Sequence, residues 1–244
     1  MRPEIVDELI TANDNRQAVY SFLTRMYAVE ISKETLKDLS EKRSLWVRLA
    51  EDPEVQGTEI AEGFKSLAEF AATLKESETD KVLLELAAEY AGLFLGVRQM
   101  PPHPSESVYT STERLIMQKA RDDVLMIYRS MGLEKFDKFR EPEDHIAIEL
   151  QFMTYMCGKT SEALKSDKNA EAKKYLEVQR DFLNDHLVKW VPMFVADILK
   201  GARREFYKAV GKITRGYVQM DKEVVSEMID SLLPVLGSSV ATGT

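Results

Sequence analysis

An all-α fold is what this sequence predicts: one globular helical domain over residues 1–236, of ten or so helices, with a short tail after it. Apolar residues recur at spacings of three and four along most of the chain, the period of one helix face. No glycine-rich strand-to-helix turn and no alternating strand pattern interrupt them. There is no repeat of fixed period and no sustained heptad, so neither a solenoid nor a coiled coil is expected. At 244 residues, 44% hydrophobic and 30% charged, the chain is able to bury a large core.

The elements follow in order. Ala18, Phe22, Leu23 and Met26 share a face of the first helix, which Asn13 or Asp14 would cap. Ser32 caps a short second helix carrying Leu36 and Leu39. Leu45, Trp46 and Leu49 make another short turn, stopped at Asp52-Pro53 because a residue before proline avoids the helical region. Ile60, Phe64, Leu67, Phe70, Ala71 and Leu74 trace one side of a longer helix. Leu83, Leu86, Ala87, Tyr90, Leu93 and Phe94 do the same over 78–95. Between 96 and 112, Pro101, Pro102 and Pro104 forbid a regular helix, and a segment of that length is often functional. Helical spacing resumes over 113–131, with Gly132 as its C-terminal cap. Residues 133–140 form a connector or hinge. Two subdomains meeting near 132–141 are compatible with the pattern and not required by it.

The next helix, 142–164, opens on Glu141-Pro142-Glu143-Asp144-His145. Proline suits the first helical position, and acids there oppose the positive end of the helix dipole. Two stripes follow: Ile146, Leu150, Met153 and Cys157, and beside it Ile148, Phe152 and Tyr155. A helix apolar on more than one face should be central. Residues 175–191 and 192–215 read as two helices broken at Pro192, after a charged, exposed run at 165–174. A last helix covers 223–233, and 237–244 is expected to be a disordered tail.

Several function classes drop out. A net charge of −8 argues against nucleic acid as the main partner, since phosphate binding needs a basic stripe. It suits a basic peptide, and equally plain solubility. Cys157 is the sole cysteine and reads as a small buried hydrophobe in a reducing compartment. Residues 1–15 do not form a secretory signal, and no run of 18 apolar residues exists, so a cytoplasmic protein without an integral membrane segment is expected. His103, His145 and His186 leave no zinc or di-iron set, because Pro142 and Leu183 stand where a bundle motif needs glutamate. Gly211-Lys212 resembles the end of a phosphate loop, but the first glycine would fall at Phe206. Asp144 and His145 are adjacent on a helix, about 100° apart, so they cannot act as orienter and base. No catalytic residue, metal or cofactor is expected.

Recognition of a macromolecule remains. Tyr90, Leu93 and Phe94 share a helical face that is either plain core or the wall of a groove closed by the loop 101–107. Singly, Asp144 is a helix-terminal charge, His145 a backbone-satisfied polar group, Ser107 and Tyr109 loop anchors, and Glu106 a solvated acid. Their order along the chain says more. Tyr90, Leu93-Phe94 and Gly96 precede Pro101-Pro102-His103-Pro104 and Ser107-Val108-Tyr109. Then come Glu141, Pro142, Asp144 and His145 with Glu149-Leu150, and finally His186-Leu187, Trp190, Pro192 and Phe206-Tyr207.

In these motifs, over about residues 86–215, the chain resembles the TorD/DmsD family of cytoplasmic redox-enzyme maturation chaperones, which is related to NarJ. The resemblance implies an all-helical fold, no catalysis and no cofactor. It implies as partner the twin-arginine leader of a molybdopterin-containing reductase subunit, held back from export until the subunit is folded and loaded. Carried over residue by residue, the peptide-binding surface is Tyr90, Leu93, Phe94, Ser107, Asp144 and His145, to which Glu106, Tyr109 and Glu141 are added. Asp144, with Glu106 or Glu141, would attract the arginines while Tyr90, Leu93 and Phe94 receive the apolar part. His145 would orient its neighbours or bond the peptide, and its titration near neutrality would make binding pH-sensitive. Two departures fall on the expected groove: Ser105-Glu106 and Arg98 stand where relatives often carry aromatics. The alternative is an assembly adaptor for the mature part of the reductase subunit, with a footprint around Trp190 or Phe194. Weak guanine-nucleotide binding is a third reading. A hinge at 133–140 would allow monomer and domain-swapped dimer to coexist.

Overall fold

The computed structural model describes residues 4–96, 101–134 and 140–241, with side chains to residue 236. Arg98, most of the expected hinge (135–139) and the end of the tail (242–244) lie outside the described residues. Every element among them is helical: α1 Glu4–Ala28, α2 Lys33–Glu41, α3 Arg43–Ala50, α4 Glu59–Thr73, α5 Thr79–Phe94, α6 Glu106–Thr110, α7 Lys119–Ser130, α8 Ile146–Lys165, α9 Asn169–Phe182, α10 Val188–Gly201 and α11 Glu205–Ala241. A 3-10 turn precedes α5, and a π turn, Leu183–Leu187, joins α9 to α10.

Two helix ends match their sequence signals. Ser32 caps α2, its hydroxyl accepting from the Thr35 amide at 3.1 Å. Gly132 takes φ 71° after α7, and the Leu133 amide reaches back to the Tyr128 carbonyl at 2.9 Å, closing the helix.

Other boundaries differ, for identifiable reasons. α1 starts well before Asn13, because Val6, Leu9 and Ile10 extend its buried face. Asn13 is mid-helix and buried, its amide donating to the Cys157 carbonyl at 2.6 Å and to Ser161 at 2.9 Å. The proline-rich segment contains a short helix, α6, after its last proline. α7 begins at Lys119, later than the spacing implied, because Arg114 and Met117 take left-handed φ of 53° and 59°. Pro192 does not break the chain. It sits inside α10, just after the π turn has already shifted the hydrogen-bond register. The break comes at 202–204, where the buried Glu89 carboxylate accepts the Arg203 and Arg204 amides ahead of α11. α11 then runs unbroken through 215–223 and Pro234, into the segment expected as a tail.

α8 is the centre of the core. Ile146, Leu150, Met153 and Cys157 are fully buried, and α1 packs along it. α11 is the second spine, in contact with α4, α9, α10 and α1. Arg16 of α1 reaches Asp221 of α11 through two bonds, 2.6 and 2.9 Å, in full burial, and the Tyr20 hydroxyl joins them. A buried charge pair of this kind is held by its hydrogen bonds and is costly to break on one side only.

Candidate peptide-binding site

The three motifs picked out from the sequence meet in space. Backbone bonds tie 104–107 to 144–146: the Glu106 amide donates to the Asp144 carbonyl at 3.0 Å and the Ile146 amide to the Pro104 carbonyl at 2.8 Å. Asp144 also accepts the Ser107 amide on its carboxylate at 2.8 Å. A turn over 142–145, closed by the His145 amide donating to the Pro142 carbonyl at 3.1 Å, leaves His145 extended, so α8 starts at Ile146 and not at Pro142 as the acidic first turn suggested. His145 is the N-cap: its Nδ1 accepts the Ala147 amide at 3.1 Å.

Beneath this junction lies a group of buried acids. Glu106, expected to be solvated, is buried and its Oε2 lies 2.8 Å from His186 Nδ1. Glu149 is fully buried and accepts the Trp190 indole N–H at 2.9 Å. Burial, followed by the charges of Glu106 and then Asp144, drives the Glu149 carboxyl well above the usual range, against the Trp190 bond. His145 moves the other way. Burial, with a smaller push from His103, lowers it from 6.5 to about 3. It is neutral near pH 7, and the neutral-range switch expected of it is corrected on that ground.

The nine residues singled out from the sequence divide into three sets. Tyr90, Phe94, Glu141 and His145 line one open cleft of about 520 Å³ together with Ala28, Val29, Glu30, Leu95 and Arg140. Leu93, Glu106, Ser107 and Asp144 are buried and shape the site from below. Tyr109 lies apart, stacked 5.7 Å from Trp190, with its hydroxyl 3.3 Å from Asp197.

Val29 and Leu95 stand 61% and 56% exposed at the cleft mouth, a large apolar exposure for a surface with no other duty. Glu30 and Glu141 are both exposed, and their charge adds to burial in raising the Tyr90 hydroxyl to about 12. Tyr90 is anchored by its hydroxyl donating to the Tyr27 carbonyl at 2.9 Å, which leaves its ring as a fixed wall. Sequence reading missed Val29, Glu30 and Leu95. They follow the ends of α1 and α5, and only the fold places them side by side.

Trp190 and Phe194, the footprint expected of an adaptor, are fully buried, which excludes them as a docking surface. Gly211 lies within α11 against Val195 and Ile198, and Lys212 pairs with Glu62 at 2.9 Å, so no phosphate loop forms there. Among the described residues no group of three or more His, Cys, Asp or Glu is placed to hold a metal, and no helix is long and apolar enough to cross a membrane.

A model of the nitrate reductase delta subunit family matches residues 57–196, more than half of the chain. The chain belongs to that family. The match spans the cleft wall on α5, the loop 101–107 and the start of α8. Beyond it, the chain is 29% identical over 221 residues to the chaperone protein TorD of Shewanella piezotolerans, covering 86% of this chain and 92% of the relative. TorD of Photobacterium profundum is 27% identical over 88% of this chain and 96% of its own length. TorD of Vibrio cholerae is 26% identical, over 92% and 98%. These alignments also take in much of the N-terminal third, where the sequence alone showed only generic amphipathic helices. This family member is a chaperone of the TorD/NarJ type, not an enzyme.

Proposed function

We propose that this chaperone binds the twin-arginine leader of a molybdopterin-containing reductase subunit at the cleft between α1, α5 and the start of α8. It then holds the leader in the cytoplasm until the subunit is folded and loaded. The observation that carries this is the cleft itself, which combines exposed Glu30 and Glu141 with the apolar edges of Tyr90, Phe94, Val29 and Leu95. Guanidinium groups seek carboxylates, and an apolar stretch seeks a nonpolar wall beside them. Arg140 also lines the cleft and opposes a cationic ligand, which helps to set where along the rim the arginines settle. Asp144 is repositioned in this scheme. It fixes the loop 104–107 while the exposed glutamates meet the peptide.

The test is calorimetric titration with a synthetic peptide of two adjacent arginines followed by an apolar stretch of about ten residues. Glu30→Gln and Glu141→Gln should each weaken binding roughly three- to tenfold, an effect that shrinks at high salt, as expected of rim charges. Arg140→Gln should tighten it. Absence of binding by the parent protein, or unchanged affinity in both glutamate variants, overturns the reading.

A further inference from the structure

The second stripe of α8 is not used by the acidic cleft. Phe152 packs on Tyr128 with ring centroids 4.9 Å apart, Ile148 is half-buried and Tyr155 is 37% exposed. With Ala28 of α1 and Leu133, these side chains line a second cleft of about 320 Å³ whose wall is almost wholly apolar. Ala28 borders both clefts, so they adjoin at the C-terminal turn of α1. From one cleft to the next the character changes: Glu30 and Glu141 stand at the first, whereas the second is aromatic and aliphatic apart from Thr24, Glu134 and Gln151 at its edge. An export leader has the same order, cations followed by an apolar region of roughly 7–15 residues. Such a region is too long for the acidic cleft alone and needs a second apolar wall next to it.

We infer that the apolar cleft receives the apolar stretch of the same peptide whose arginines sit at Glu30 and Glu141. The chain of the ligand then crosses the end of α1. This rests on the function proposed above and adds its direction and its second contact surface. The acids attract and register the peptide, and the Ile148–Phe152–Tyr155 stripe supplies the nonpolar burial.

Photo-crosslinking tests it with two forms of the same arginine-plus-apolar peptide. One carries benzoylphenylalanine in the middle of the apolar stretch, the other beside the arginines. The first should label residues around Ile148 and Tyr155, the second residues around Glu30 and Leu95. Tyr155→Ser and, as a second variant, Ile148→Ser should weaken the full peptide at least fivefold. A peptide whose apolar stretch is replaced by serine and glycine should bind both variants within twofold of the parent. Labelling by the apolar probe elsewhere, for instance at the exposed residues 115–117 or Met193, together with unchanged affinity in both serine variants, overturns the inference. If the glutamate variants still weaken binding in that case, the acidic-cleft reading survives alone. If no such peptide binds, both fall.

Discussion

Two buried residues give this protein opposed responses to pH. His145 has a folded value of about 3 against 6.5, so its contribution to stability is complete above 6.5 and is lost as pH falls toward 3. Glu149 is raised above 4.5, so its contribution is complete below 4.5 and is lost as pH rises. Between 4.5 and 6.5 the two slopes oppose each other, each at most about 1.4 kcal/mol per pH unit. His145→Asn, which still offers a capping oxygen, should make stability rise on acidification across that window relative to the parent. Glu149→Gln should make it fall more steeply. Denaturant melts at pH 4.5, 5.5 and 6.5 would show this, and parallel profiles for all three proteins would contradict it. The sequence marked His145 as important but not the direction of its titration. Its burial comes from the loop 104–107 laid across the start of α8, a contact forty residues away in the chain. Glu30 was invisible for the converse reason: a single exposed acid after a helix carries no pattern until a second one, Glu141, is folded next to it.

At the level of elements, periodicity gave most helices, and helix ends were legible where a local cap made them. Ser32 and Gly132 act through bonds within a few residues, and both ends were readable. The start of α8 and the gap before α11 are tied to distant partners, Ser107 and Glu89, and were not. Pro192 was overweighted as a breaker because a π turn upstream leaves no sequence signature of its own. Glycine also acts here through a distant partner. Gly63 of α4 and Gly216 of α11 have low helix propensity, and they are where the two backbones touch. A Cβ on Gly216 would lie 2.6 Å from Ile60 Cγ1 and 3.1 Å from the Ile60 nitrogen, and one on Gly63 would lie 2.6 Å from Ile213 Cγ1. Alanine at 216 gains up to about 1 kcal/mol of helix propensity. Overpacking costs about 1–3 kcal/mol, so Gly216→Ala should still lower the melting temperature, most visibly as weaker hydrogen-exchange protection in α4. A melting temperature at or above the parent's would mean that α4 shifts freely.

For the whole molecule, the all-helical class followed from sequence alone, because no competing period was present. The arrangement did not, since it depends on which helix meets which. The first and last helices are joined through the Arg16–Asp221 pair, and α11 also covers α4, α9 and α10. A chain ending at residue 204 should therefore remain open to protease and lack a cooperative melt. A sharp two-state transition in that fragment would show that α11 is an accessory. The order of synthesis gives this closure a further meaning. Arg16 leaves the ribosome long before Asp221, so a growing polypeptide carries a guanidinium without its carboxylate, and bare greasy flanks, until the next two hundred residues have followed it. The wall that α1 gives to the cleft is thus seated only once α11 has been made and has docked against it.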